Sequence, residues 1–240
     1  MLAAHLAAAV VLLLWSVRLI RTGVERAFMP QLKRRLKALS EHNLSAASGG
    51  MLAAMVMQSS TAVALIAAGF AVSGLLATTA ALAMVLGADL GSALMAQVLF
   101  LPVQALIPFA LIIGVLTFFR ARARKTKQVG RILIGFALVL ISLDMIRSAT
   151  TPIGGNEIVQ SIAAYFQNDL LSAYAIGALL AWAMHSSLAA VLTFATFAVA
   201  GMIAVPVAAA LVVGANLGGA LVPLGLLWSG DRPARILAIG

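Results

Sequence analysis

The sequence predicts an all-α integral membrane protein with two inverted-topology repeats, each pairing a re-entrant helical hairpin with transmembrane helices. Three observations lead there. Of 240 residues, 63% are hydrophobic and 10% charged, with a mean hydropathy of +1.09, whereas soluble domains run at about 45–50% apolar and about 25% charged. Two polar clusters, Gln58-Ser59-Ser60-Thr61 and His185-Ser186-Ser187, interrupt apolar runs too short to cross a bilayer. The clusters stand 127 positions apart and share their surroundings at that offset.

Leu2 to Ile20 is apolar and long enough to span, since about 20 residues cross the hydrocarbon core. It lacks a basic leader segment and is followed by Arg18 and Arg21, so it reads as a retained helix whose C-terminal end faces the cytoplasm. Thr22 to Asn43 spaces Phe28, Leu32, Leu36 and Leu39 helically against Lys33, Arg34, Arg35 and Lys37, the pattern of an amphipathic helix lying at the membrane surface. Leu44 to Met57 and Ala62 to Leu76 read as the two arms of a hairpin around the first polar cluster. Thr78 to Phe100, around Gly87-Ala88-Asp89-Leu90-Gly91, and Val103 to Phe119 are spans. After the basic cluster Arg120 to Arg131, Ile132 to Ile146 is a further span, and Arg147 to Asp169 is a polar segment. Leu170 to Trp182 and Leu188 to Ile203 flank the second polar cluster, and Val205 to Leu227 surrounds Gly214-Ala215-Asn216-Leu217-Gly218.

Aligning 57–94 with 184–221 without a gap gives 20 identities in 38 positions, including Ser59 with Ser186, Ser60 with Ser187, Gly74 with Gly201 and Gly87 with Gly214. Alanine richness inflates that count, but it cannot make a polar cluster and a two-glycine motif coincide at one offset, so the unit is duplicated. The boundaries are residues 1–131 and 132–240. Both basic clusters belong on the cytoplasmic side; one more span, Ile132 to Ile146, then starts the second unit outside, which inverts the repeats. The same rule puts the N-terminus outside and the basic loops, with Arg232 and Arg235, in the cytoplasm. Inverted repeats with broken helices near the midplane are secondary-transporter architecture.

Gln58-Ser59-Ser60-Thr61-Ala62, with Gly49-Gly50 before it and Gly87-Ala88-Asp89-Leu90-Gly91-Ser92 after, resembles the Q-S-S-[ST]-A and G-A-N-x-G-[ST] motifs of the sodium/phosphate cotransporter family. His185-Ser186-Ser187 and Gly214-Ala215-Asn216-Leu217-Gly218 are similar to the second copies, and the resemblance extends to Asp231-Arg232-Pro233-Ala234-Arg235. It implies sodium-coupled symport of inorganic phosphate across the cytoplasmic membrane, with the two hairpin motifs facing each other. Phosphate would lie on Gln58, Ser59, Ser60, His185, Ser186 and Ser187; sodium, the coupling ion in place of any cofactor, on Ser60, Thr61, Asp89, Asn216 and Ser187. Helix breaks suit this chemistry, because they aim free N–H groups at anions and free carbonyls at hard cations. His185 stands where the family has Gln, Leu188 where a hydroxyl is expected, and Asp89 where it has Asn.

Bland readings compete. The polar clusters could serve helix packing through interhelical hydrogen bonds, Asp89 and Asn216 could cap helix ends, and His185 could be a hydrogen-bonded core residue or a titrating group near neutral pH. An enzyme is not expected: no G-x-S-x-G elbow is present, and a serine hydrolase needs one site rather than two copies. Absent cysteines exclude disulfides and zinc–thiolate sites, no metal beyond sodium is expected, and basic stretches without base-stacking aromatics argue against nucleic acid. The expected partners are phosphate, Na+ and the lipid bilayer, with a homo-oligomer allowed. The alternatives are a carrier of another small anion, or a degenerate subunit without transport. At the 127 offset the last span maps to 230–246, so that helix is expected to run past Gly240, where related bacterial chains continue into a PhoU-like domain.

Overall fold

A computed structural model describes residues 2–38, 42–101, 103–150 and 157–227. They form helices and their connecting turns, with no strand among them. In order these are α1 (Leu2–Ala38), α2 (Asn43–Met57), α3 (Ser60–Val72), α4 (Thr78–Leu99), a 3-10 turn (Gln104–Leu106), α5 (Ile107–Arg120), α6 (Arg124–Thr150), α7 (Glu157–Asn168), α8 (Leu170–Met184), α9 (Ser187–Val199) and α10 (Val205–Leu227). Four helices, α1, α4, α6 and α10, are long and apolar enough to cross a membrane. An all-helical chain with several such helices is a multi-pass membrane protein, the construction in which every backbone polar group is satisfied within its own segment.

Several expected boundaries move. The first span and the basic stretch after it are one 37-residue helix with Pro30 inside, not a span followed by a separate surface helix. Along this helix Gly23 lets α1 approach α6: a Cβ there would lie 3.1 Å from the Gln128 carbonyl oxygen and 2.7 Å from Ile132 Cγ1. The Arg120 to Arg131 cluster is not mainly loop, because α6 already begins at Arg124 and continues to Thr150. The Val103 to Phe119 span is shortened to the 14-residue α5 after its 3-10 turn. Part of the expected polar segment is helical, as α7. Asp169 then caps α8, accepting from the Ser172 N–H at 3.1 Å and from the Ser172 hydroxyl, and these donors hold its carboxyl below the usual carboxylate range. Arg232, Arg235 and the rest of 228–240 lie outside the described residues, as do Pro152, Asn156 and the two glycines between them.

The described helices pack as two compact units, one from the stretches 2–19, 103–113 and 133–219, the other from 20–101, 114–132 and 220–227. In the second of these, α2 and α4 touch backbone to backbone. A Cβ on Gly50, Gly87 or Gly91 would lie 2.0, 1.9 or 2.2 Å from the carbonyl oxygens of Met84, Ala47 and Met51. In the first, Gly177, Gly214 and Gly218 meet the Leu211, Tyr174 and Ala178 carbonyl oxygens at 2.2, 1.9 and 2.0 Å. Both members of every contact recur at the 127 offset. Without water to drive apolar association, such close packing of small residues is what attracts one membrane helix to another. Around the second clamp Ala173, Ala181, Ala190, Phe194, Val207, Leu211 and Ala215 form a buried core.

Candidate functional site

The backbone breaks at Gln58 in one unit and at His185 in the other. Both are left-handed, Gln58 at φ 52° and ψ 36°, His185 at φ 51° and ψ 31°. Among the described residues they alone combine positive φ with a side chain larger than glycine's hydrogen. That conformation costs an L-residue roughly 1–2 kcal/mol, and such strain persists where the surroundings, and commonly function, require it. The break is closed by hydrogen bonds back into the preceding helix: the Ser59 N–H donates to the Ala54 carbonyl, and the Ser186 N–H to the Ala181 carbonyl, each at 3.3 Å. This is the Schellman ending, in which the left-handed position ordinarily belongs to glycine. Glycine does take that position where the next helix ends, at Gly74 (φ 70°) and Gly201 (φ 72°).

After each break a new helix starts at once. The Ser59 hydroxyl accepts from the Ala62 N–H and the Ser186 hydroxyl from the Ala189 N–H, both at 3.2 Å. These serines are therefore N-caps, a role the sequence reading did not give them, although S-S-[TL]-A before an apolar run carries its signal. At each break the C-terminal end of one helix meets the N-terminal end of the next, α2 with α3 and α8 with α9. Each break thus concentrates the partial negative charge of one helix end beside the partial positive charge of another.

The remaining expected ligands sort by unit. Ser60 and Thr61 begin α3, which packs against α4, the helix that carries Asp89. Gln58 is 5% exposed and its Oε1 is buried without a hydrogen-bond partner. In the other unit, Ser187 begins α9 and packs against α10, where a Cβ on Gly219 would lie 2.8 Å from Ser187 Cβ. Asn216 lies one turn before Gly219. His185 is exposed, with Nδ1 3.1 Å from the Ala183 carbonyl oxygen. That corrects its reading as a core residue.

Asp89 and Asn216 lie inside α4 and α10, so they cap no helix end. Both stand on exposed faces, away from the glycine clamps. Leu188 is buried at 4% exposure where Thr61 is half-buried, so one hydroxyl is replaced by packing. No group of three or more His, Asp or Glu side chains suited to a metal occurs among the described residues. The breaks therefore offer hydroxyls, helix ends and one carboxylate, a donor set for a small oxyanion with a hard monovalent cation rather than for a transition metal.

Comparison with known proteins agrees with the motifs. A family described as Na+/Pi-cotransporter matches residues 12–148 and 140–227. The chain is 40% identical over 236 residues to YjbB of Salmonella typhimurium (strain LT2) and of Escherichia coli (strain K12), each provisionally named an inorganic phosphate export protein. The match covers 98% of this chain but 44% of theirs, so the chain spans about half the length of these curated relatives. YqeW of Bacillus subtilis (strain 168), an uncharacterised protein, is 24% identical over 228 residues, 95% of this chain and 74% of its own. No solved structure matches the chain significantly.

Proposed function

Because the chain belongs to the Na+/Pi-cotransporter family, we propose that it carries inorganic phosphate across the cytoplasmic membrane in symport with sodium, the units 1–131 and 132–240 alternating as inverted repeats around the site. The observation that carries this reading is the twin strained break, each a left-handed non-glycine residue followed by a serine N-cap. Free N–H groups and the positive ends of α3 and α9 attract phosphate, and Gln58, Ser59, Ser60, His185, Ser186 and Ser187 surround it. Carbonyls freed at the ends of α2 and α8, with Ser60, Thr61, Ser187, Asn216 and the Asp89 carboxylate, suit sodium.

No lysine or arginine lies at either break. Phosphate held by dipoles, neutral donors and a co-bound cation is released more easily than phosphate clamped by fixed positive charges, and a carrier must release its cargo. The first repeat carries the Asp89 carboxylate on α4, which packs against α3, whereas the matching position is the neutral Asn216, so sodium belongs chiefly to the first break. A carboxylate at membrane depth costs about 2.5–3.5 kcal/mol on insertion scales, and a bound cation offsets that cost.

The test is radiolabelled phosphate flux in proteoliposomes with and without a sodium gradient, comparing the natural chain with Ser60→Ala, which spares both N-caps. Inward flux should follow the sodium gradient, and Ser60→Ala should reduce it by tenfold or more, about 1.4 kcal/mol of lost interaction. Flux indifferent to sodium would remove the coupling. The names of two relatives favour a second reading, net export. The same breaks serve either direction, and loading the vesicle interior with phosphate decides it. A competing oxyanion carried in place of phosphate, or no flux at all, would leave the other anion or the non-transporting subunit.

A further inference from the structure

The two basic clusters, far apart in sequence, meet in the fold. Seven cations lie between Arg18 and Lys37 and six between Arg120 and Arg131, against a single acid, Glu25. Glu25 is engaged by Arg21 Nε at 2.9 Å. Lys125 Nζ stands 5.0 Å from the Phe28 ring centroid, which ties the start of α6 to the basic half of α1. Lys127 Nζ and the Arg131 guanidinium both lie over the Phe118 ring of α5, at 4.8 and 5.7 Å. Cations at the start of α6 thus stand over aromatic rings of both α1 and α5 within one unit.

The depth of these cations follows from helix rise. The apolar run of α6 begins at Ile132. At 1.5 Å per residue, Arg131 lies about 1.5 Å, Lys127 about 8 Å and Lys125 about 10 Å before it. The polar layer of a bilayer leaflet is about 5–8 Å thick outside the hydrocarbon core, so these cations lie in and just beyond the headgroups. At the same level Phe119 is 78% exposed, Leu116 45% and Val129 37%, apolar surface at the boundary between headgroups and hydrocarbon. Lys125, Lys127, Arg120, Arg122 and Arg124 are exposed and Arg131 is half-buried. Like charges gathered this closely repel one another unless an anion is shared among them.

We propose that this surface is a binding site for anionic phospholipid, with Lys125, Lys127 and Arg131 around the headgroup phosphodiester and Phe119, Leu116 and Val129 against its glycerol and the first acyl methylenes. Aromatic rings hold Lys125, Lys127 and Arg131 in place without neutralising them, because cation–π contact leaves the charge free to attract a phosphate. Charge complementarity selects the lipid class: phosphatidylglycerol has a net negative headgroup, and phosphatidylcholine does not. The site is separate from the helix breaks and does not depend on what they carry.

Native mass spectrometry of the purified chain in mixed micelles tests it, with phosphatidylglycerol and phosphatidylcholine offered in equal amounts. Phosphatidylglycerol should be retained preferentially, and each cation replaced by glutamine should weaken retention about fivefold. The triple variant Lys125→Gln, Lys127→Gln, Arg131→Gln should then bind about a hundredfold more weakly, while Lys33→Gln, Arg34→Gln, Arg35→Gln, which removes equal charge further along α1, retains most of the preference. Lys125→Gln alone repeats the fivefold test if the triple variant unfolds. Equal retention of both lipids, or equal losses in the two triple variants, overturns the proposal. So does displacement of phosphatidylglycerol by inorganic phosphate beyond what chloride achieves at the same ionic strength, which would make the site one for free phosphate.

Discussion

His185 occupies a backbone position that glycine would fill with less strain, and it does so in register with Gln58. Two larger side chains at matching left-handed positions carry a strain that glycine would avoid, and under the proposed function their side chains at the site are what retain it. His185→Gly should therefore stabilise the fold by about 1 kcal/mol, visible as a higher unfolding temperature in detergent, while phosphate flux falls. A loss of stability would show instead that the imidazole contributes packing. The polar clusters themselves were legible in the sequence, since Gln58, Ser59 and Ser60 stand out in an apolar run. Their division of labour was not. Whether a serine hydroxyl caps a helix or faces a ligand depends on the dihedral angles before it, and Ser59 and Ser60 differ in this although they are adjacent and identical.

At the scale of elements, the 127 offset was readable, and the glycine contacts follow it carbonyl by carbonyl. Missed was the partner of Gly50: the sequence marks Gly177 with no polar neighbour or motif, and only the contact with the Leu211 carbonyl gives it a role. Also missed was the continuity of α1, because an apolar stretch followed by a basic one looks like two environments, yet a helix passes from hydrocarbon to water without a break. Gly87→Ala or Gly214→Ala places a methyl 1.9 Å from a carbonyl oxygen, and the helices must part. Either change should cost about 2–3 kcal/mol and lower the yield of folded protein. Gly69→Ala, at an exposed position of α3, meets nothing within 4 Å and should stabilise that helix by about 0.5–1 kcal/mol. Comparing the three by size-exclusion recovery after heating separates close packing from general intolerance of the larger residue.

For the whole molecule, opposite orientation of the two repeats can be measured directly. The chain has no cysteine, so Ser73→Cys and Ala200→Cys, at corresponding turns 127 residues apart, can be introduced singly without background. In intact cells a membrane-impermeant maleimide should label the Ala200 site and spare the Ser73 site until the membrane is opened. Labelling of both from the same side would end the inverted-repeat reading. The overall class was legible because bilayer thickness and composition constrain it strongly. The assignment of residues 2–19 and 103–113 to a unit with 133–219 was not, since packing between distant segments leaves no periodic trace.

The glycine clamps also have a mechanical consequence. Helices separated by side chains can slide on that compliant layer, but α2 and α4 meet through carbonyl oxygens and α-carbons, as do α8 and α10. Each broken helix is therefore riveted to a full-length one, which becomes its crowbar: tilting α4 by a small angle drags Gln58 and Ser59 along, and tilting α10 drags His185 and Ser186.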